Sequence, residues 1–167
     1  MWSKIEEAFR GYPAQRKVAL LLLERGFQVS EKGRVVCGKI EIPHSQIGKA
    51  LEVDRRVVDA TVARILDDKN LKEIFTSLHS IAFLRDIAPK LGLGVVVISV
   101  EDASKPGIIG RVTSRIAEHG VAIRQAIADD PYFVENPKFT VITETEVTGE
   151  LFEDLKKIDG VKKITIY

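Results

Sequence analysis

The stretch Val95–Gly120, VVVISVEDASKPGIIGRVTSRIAEHG, decides the reading of the chain. Six apolar or small residues run into the acidic turn Glu101-Asp102-Ala103-Ser104-Lys105. Pro106-Gly107 follows, and then Ile109, Val112 and Ile116 recur at helical spacing. The pattern predicts a strand, a tight turn and an amphipathic helix ended by Gly120. A helix that starts directly after a strand leaves its first backbone N–H groups without intrahelical partners. Such a start suits a small anion, a carboxylate included.

The same logic repeats downstream. Strands are predicted over 94–101, 121–128, 138–145 and 161–167, with helices over 106–119 and 148–158. Leu151, Phe152, Leu155 and Ile158 make the apolar face of the second helix, and Gly160 ends it. This order is a split βαβ unit, a ferredoxin-like βαββαβ fold with an antiparallel sheet and both helices on one face. Val95–Val100 is apolar on both faces, which predicts a central strand or a subunit interface and hence at least a homodimer. Lys162-Lys163 in the last strand reads as edge protection.

The N-terminal half reads as mostly helical, with helices over 3–10 and 14–25. A hairpin follows from Phe27–Val29 and Arg34–Ile42 around Gly33. Residues 42–66, IPHSQIGKALEVDRRVVDATVARIL, then predict two helices joined by Glu52-Val53-Asp54, with Ser45 and Asp54 as N-caps. In the second helix Val58, Thr61, Val62 and Ile65 share a face. Arg56, Ala60 and Ala63 lie opposite, and Arg55 opens the helix. Small residues with arginines at the helix start suit a reader of the DNA major groove. With the preceding helix this is a three-helix, helix-turn-helix-like unit, and Ser45, Arg55, Arg56 and Ala60 are its candidate DNA contacts. A helical hairpin used for packing or dimerisation is the competing reading. Gly48 is unusual inside a helix, and Asp59 near the exposed face would repel phosphate. Asn70–Leu91 reads as one helix with heptad-like spacing, connecting to a boundary at Gly92. The expected domains are 1–92 and 93–167, an α+β chain overall.

Composition sets the limits. The chain has 167 residues, 45% of them hydrophobic, with mean hydropathy near zero. It has no apolar run near the ~18 residues a membrane span needs and no signal-peptide pattern. One cysteine, Cys37, excludes an intrachain disulfide and fits a reducing, cytoplasmic setting. Residues 1–92 carry 16 Lys and Arg against 12 Asp and Glu, a balance of +4. Residues 93–167 carry 9 against 12, a balance of −3. Two modules with different partners follow from that asymmetry. His44, His79 and His119 show no metal spacing with Cys37, so neither a metal nor another cofactor is expected. No phosphate-binding glycine loop is present, and Ser104 has no neighbouring base. No catalytic residue is assigned, and enzymatic activity is not expected.

The succession of strand, Glu-Asp turn, Pro106-Gly107-Ile108, helix to Glu118-His119-Gly120 and Val121-Ala122-Ile123 resembles an ACT domain. The whole arrangement, with Asp129-Asp130-Pro131 and Asn136-Pro137-Lys138 bracketing a loop, is similar to archaeal ACT-containing regulators of amino acid metabolism. The resemblance covers roughly residues 94–167. It implies a small-molecule seat, most often for an amino acid, at an interface between two such domains. Carried over by position, the seat is Glu101, Asp102 and Lys105, then Pro106, Gly107, Ile108 and Ile109. Ala122, Ile123 and Gln125 would form the far wall. Two departures are a longer Glu101–Pro106 loop and Ala122 where the family often has Asn. Amides near Gly107 and Ile108 suit a ligand carboxylate, and Asp102, Asp129 or Asp130 suits an ammonium. The expected function is a ligand-responsive transcriptional or metabolic regulator. The alternative is a regulatory subunit of an amino-acid biosynthetic enzyme that binds no DNA.

Overall fold

The computed structural model describes residues 2–167. Its contacts separate two compact units, the first ending at Ala82 and the second running from Phe83 to Tyr167.

The first unit contains α1 (Trp2–Ala8), α2 (Pro13–Arg25), β1 (Gln28–Val29), β2 (Val35–Cys37), β3 (Ile40–Ile42), α3 (His44–Leu51), α4 (Arg55–Asp67) and α5 (Lys69–Thr76). Pro13 opens α2, where its missing N–H costs nothing, and Gly26 closes it in the left-handed conformation. The hairpin strand expected over 34–42 is two strands. A turn at Gly38 splits it, so β1, β2 and β3 form an antiparallel three-stranded sheet. Phe9, Leu22, Val29, Ile65, Leu71 and Phe75 are fully buried in one core shared by the helices and this sheet.

Two helices and a three-residue turn occupy 44–67, as the sequence predicts. Glu52 takes a left-handed φ of 55°, and the Val53 N–H closes the turn on the Gly48 carbonyl at 2.9 Å. A Cβ on Gly48 would stand 2.8 Å from the Val53 carbonyl oxygen, which explains a glycine inside α3. Asp54 caps α4 by accepting from the Arg56 N–H at 2.8 Å. The cap expected from Ser45 is absent, because α3 starts two residues earlier, after Pro43.

The helix expected over 70–91 stops at Thr76. Ser80 donates its hydroxyl to the Arg25 carbonyl, and the backbone at His79 lies where a Cβ on Gly26 would be. Residues 77–80 are thereby pinned beside the end of α2. The apolar spacing that suggested one helix serves two cores instead. Leu71 and Phe75 belong to the first, while Leu84 and Ala88 belong to the second unit.

The second unit contains a 3-10 turn (Ala88–Leu91), β4 (Gly94–Val100), α6 (Ile108–Glu118), β5 (Ile123–Ala128), β6 (Lys138–Thr143), α7 (Gly149–Lys156) and β7 (Val161–Ile166). The strand order is β5-β6-β4-β7, antiparallel throughout, which is the ferredoxin-like arrangement. Val96, Ile98 and Val141 pack against Val112, Ile116, Leu151 and Leu155 of the helices. On the opposite face Val95, Val97 and Ile142 are buried beneath Ala88, with Leu84 and Leu93 packed beside them. The chain's own segment from Leu84 to Leu93 therefore covers the second apolar row of β4. No second copy of the chain is needed to bury that row.

Candidate functional site

The turn from β4 to α6 is built differently from the expected anion seat. Asp102 accepts from the Ser104 hydroxyl at 2.6 Å and from the Ser104 N–H at 2.9 Å. Those hydrogen bonds, the hydroxyl's first, hold the Asp102 carboxyl below the usual carboxylate range. Asp102 thus closes its own turn. The Lys105 ammonium lies 3.7 Å from Asp159. Gly107 is the N-cap of α6 with φ of 92°, and no side chain caps this helix. A Cβ there would stand 3.1 Å from an Arg111 guanidinium nitrogen. The glycine is required by its backbone conformation, not by space for a ligand alone. Ile108 turns into the core, and Ile109 is half exposed.

Two separate cavities flank the end of β4. One, of about 440 Å³, has Ser99 and Val100 as its floor. Glu101–Ser104 border it, as do Pro131, Glu135, Asn136 and Pro137 of the β5–β6 loop and Lys162 and Lys163 of β7. The second holds only about 30 Å³ and is mostly apolar. Ala103, Ile108, Ile109, Asp129 and Phe139 are among its walls. Glu101 and Asp102 therefore border the larger cavity, while Ile108, Ile109 and Asp129 border the small apolar one.

The remaining expected residues lie elsewhere. Pro106 and Gly107 are exposed and border neither cavity. Asp129 accepts from the Lys138 N–H at 3.1 Å, and Asp130 accepts from the Tyr132 N–H at 2.9 Å, so both acids shape the β5–β6 loop. Ala122 uses its carbonyl to accept from the Glu144 N–H. Ile123 packs against the helix-side core. Gln125 is paired with Ile142 and takes the face away from the helices, where its side-chain carbonyl accepts from the Leu84 N–H at 3.0 Å. The expected far wall is thus part of the sheet's own packing.

Sequence reasoning passed over Glu135, Asn136, Lys162 and Lys163 as site residues. The doublet carried no signal for this, since adjacent lysines are ordinary on an exposed edge strand, and a regular strand would send them to opposite faces. The register between β4 and β7 does shift there: Ser99 pairs with Lys163 and Val100 with Val161, leaving Lys162 as the extra residue of a bulge.

In the first unit, α4 presents Arg55, Arg56, Ala60 and Ala63 to solvent and buries Val58, Thr61, Val62 and Ile65. Arg64 is withdrawn from the exposed strip. Its guanidinium lies 3.9 Å from the Tyr12 ring centre and donates to Gln15. Asp59 does not stand alone on this surface: His44 Nδ1 is 2.6 Å from one of its oxygens and Arg55 Nε is 3.4 Å from the other. Arg56 Nε lies 3.2 Å from Asp54, whose carboxyl is held low chiefly by the Arg56 N–H and then by the guanidinium. A cavity of about 460 Å³ opens beside the starts of α3 and α4, bordered by Lys32, Arg34, His44, Ser45, Arg55 and Asp59. Ser45 and Arg55 meet there, whereas Arg56 and Ala60 do not border it. Among the described residues no group of His, Cys, Asp and Glu is arranged to hold a metal ion. No described helix is long and apolar enough to cross a membrane.

No protein-family model matches the chain, and no curated protein matches it. Among solved structures it is similar to the ACT domain from GTP pyrophosphokinase of Chlorobium tepidum. The crystal structure of that domain is 20% identical over 45% of this chain and 96% of that one, with a TM-score of 0.36. The solution NMR structure is 20% identical over 45% and 84%, with a TM-score of 0.35. The crystal structure of PH0061 is similar over 92% of this chain and 88% of that one, at 12% identity and a TM-score of 0.30.

Proposed function

We propose that the protein is a ligand-responsive regulator that acts by binding rather than by catalysis. Its second unit binds a small amino-acid-like metabolite, and its first unit contacts duplex DNA. The observation that carries this reading is the strip Arg55, Arg56, Ala60 and Ala63 along the exposed side of α4, behind a tight three-residue turn. Small residues let a helix approach base edges, and arginines at its start reach phosphates or guanine. The ion pairs that Arg55 and Arg56 make are exposed, so they are weak and exchange readily for phosphate oxygens. The 440 Å³ cavity at the end of β4, bordered by charged residues, supports the sensing half of the reading.

Fluorescence anisotropy with a random duplex, in a salt series and with or without each amino acid, tests both halves. Salt-dependent binding is expected, with a ligand that changes DNA affinity; DNA must then change ligand affinity by the same factor. Failure to bind duplex DNA at low salt removes the DNA half. A second reading, control of a biosynthetic enzyme, is favoured by one feature: Asp54 and Asp59 leave the start of α4 near neutrality, which also suits a protein surface. Binding of an amino acid without any DNA binding would select it.

A further inference from the structure

Among the described residues, one buried side-chain polar atom has no hydrogen-bond partner, and it is Nε2 of His44. A buried nitrogen without a partner is costlier than an apolar group of the same shape. Packing alone would therefore favour leucine here, and the reason for histidine lies at the other ring nitrogen. His44 is the first residue of α3, and its side chain is 14% exposed. Nδ1 donates to Oδ1 of Asp59 at 2.6 Å. A carboxylate oxygen accepts and does not donate, so the hydrogen of this contact sits on Nδ1.

The second oxygen of Asp59 lies 3.4 Å from Nε of Arg55, one turn back along α4. Arg55 is 69% exposed, and among the described residues no hydrogen bond engages its two terminal nitrogens. An arginine that meets an unoccupied carboxylate takes both oxygens in a forked pair, the stronger arrangement. Here His44 already occupies one oxygen, and Arg55 is left with a single long contact. Arg34 borders the same cavity, but Glu41 engages it at 2.9 Å.

We infer that His44 is a positioning residue for the DNA contact: by holding one oxygen of Asp59 it keeps Arg55 out of a forked pair and leaves that guanidinium exchangeable for a phosphate. The inference rests on the DNA reading above and adds to it a residue that acts through Asp59. It also accounts for an acid on a face that meets phosphate. Held by His44, Asp59 orients Arg55 without closing on it.

The test is fluorescence anisotropy of a random duplex with the full chain at low salt, beside urea denaturation of each variant. His44→Leu should be at least as stable as wild type, since it removes the unpartnered nitrogen. It should bind DNA about threefold to fivefold more weakly, the range of an exposed ion pair. His44→Asn carries its amide nitrogen on Cγ, as histidine carries Nδ1, and should restore wild-type affinity. Asp59→Asn should strengthen binding by a similar factor, and His44→Leu should change nothing in that background. A merely structural histidine would lower stability and affinity together, and that outcome would overturn the inference. Unchanged affinity in folded His44→Leu, or a weakening that persists beside Asp59→Asn, would overturn it too and leave the DNA reading standing. If the wild type binds no duplex, the inference and that reading fall together.

Discussion

Two helix starts, those of α4 and α6, both follow tight turns, and they solve the problem of open N–H groups in opposite ways. At α4 the carboxylate of Asp54 accepts from the Arg56 N–H, and acidic partners hold both neighbouring arginines. At α6 no side chain caps the helix, and Gly107 enters it through a left-handed backbone. Ile108 and Ile109 at the uncapped start border a 30 Å³ apolar gap, while Glu101, Glu135, Lys162 and Lys163 gather around the neighbouring cavity. At α4 the backbone is satisfied internally, so contact with a partner must come through side chains.

Substitutions at these turns sharpen or break that contrast. Gly48→Leu should do most damage, because its Cβ meets the carbonyl of Val53, the residue whose N–H closes the turn before α4. A loss of about 3 kcal/mol in urea denaturation is expected, the upper end for overpacking. A stable variant would mean that the turn adapts freely. Arg55→Ala/Arg56→Ala should leave stability unchanged. It should weaken duplex DNA binding about tenfold, roughly 1.4 kcal/mol, and reduce the log-salt slope by up to about 2 units. A wild-type slope would place the DNA contacts elsewhere.

Gly107→Ala should cost about 1 kcal/mol, the strain of a left-handed φ for a residue with a Cβ, with ligand affinity retained in the folded protein. Lost affinity at full stability would return the ligand to the α6 turn. The smallest effect is electrostatic. The folded pKa of Asp54 is depressed, so its contribution is present above the unfolded value near 3.9 and is lost as pH falls through the lower folded value. Asp54→Asn keeps a competent cap, so the acid limb of the stability profile should flatten slightly with little change at neutral pH. An acid limb identical to wild type would show that the Arg56 contacts do not persist in solution.

The second unit was the more legible of the two because its signals are local. Alternating residues, Gly120, Gly160 and helical spacing announce each element of the βαββαβ order without reference to distant parts. The α3–α4 pair was equally plain from Asp54 and the apolar positions of α4. The long helix expected over 70–91 was misread for a definite reason. Leu71, Phe75, Leu84 and Ala88 keep a helical rhythm, yet they answer to two cores. The candidate site was legible only in part. Glu101 and Asp102 could be named from their place after β4, but nothing in the spacing joins them to Lys162 and Lys163.

Periodicity, caps and turn residues determined the order and type of most elements, because each depends on a few neighbouring residues. Tertiary structure alone decided what covers the outer row of β4, why Gly48 and Gly107 are glycines, and which charges share a cavity. Those outcomes depend on strand register and on contacts between residues far apart in the chain. A single extra residue in β7 turns Lys162 and Lys163 toward one space, and only the pairing with β4 reveals that it is extra.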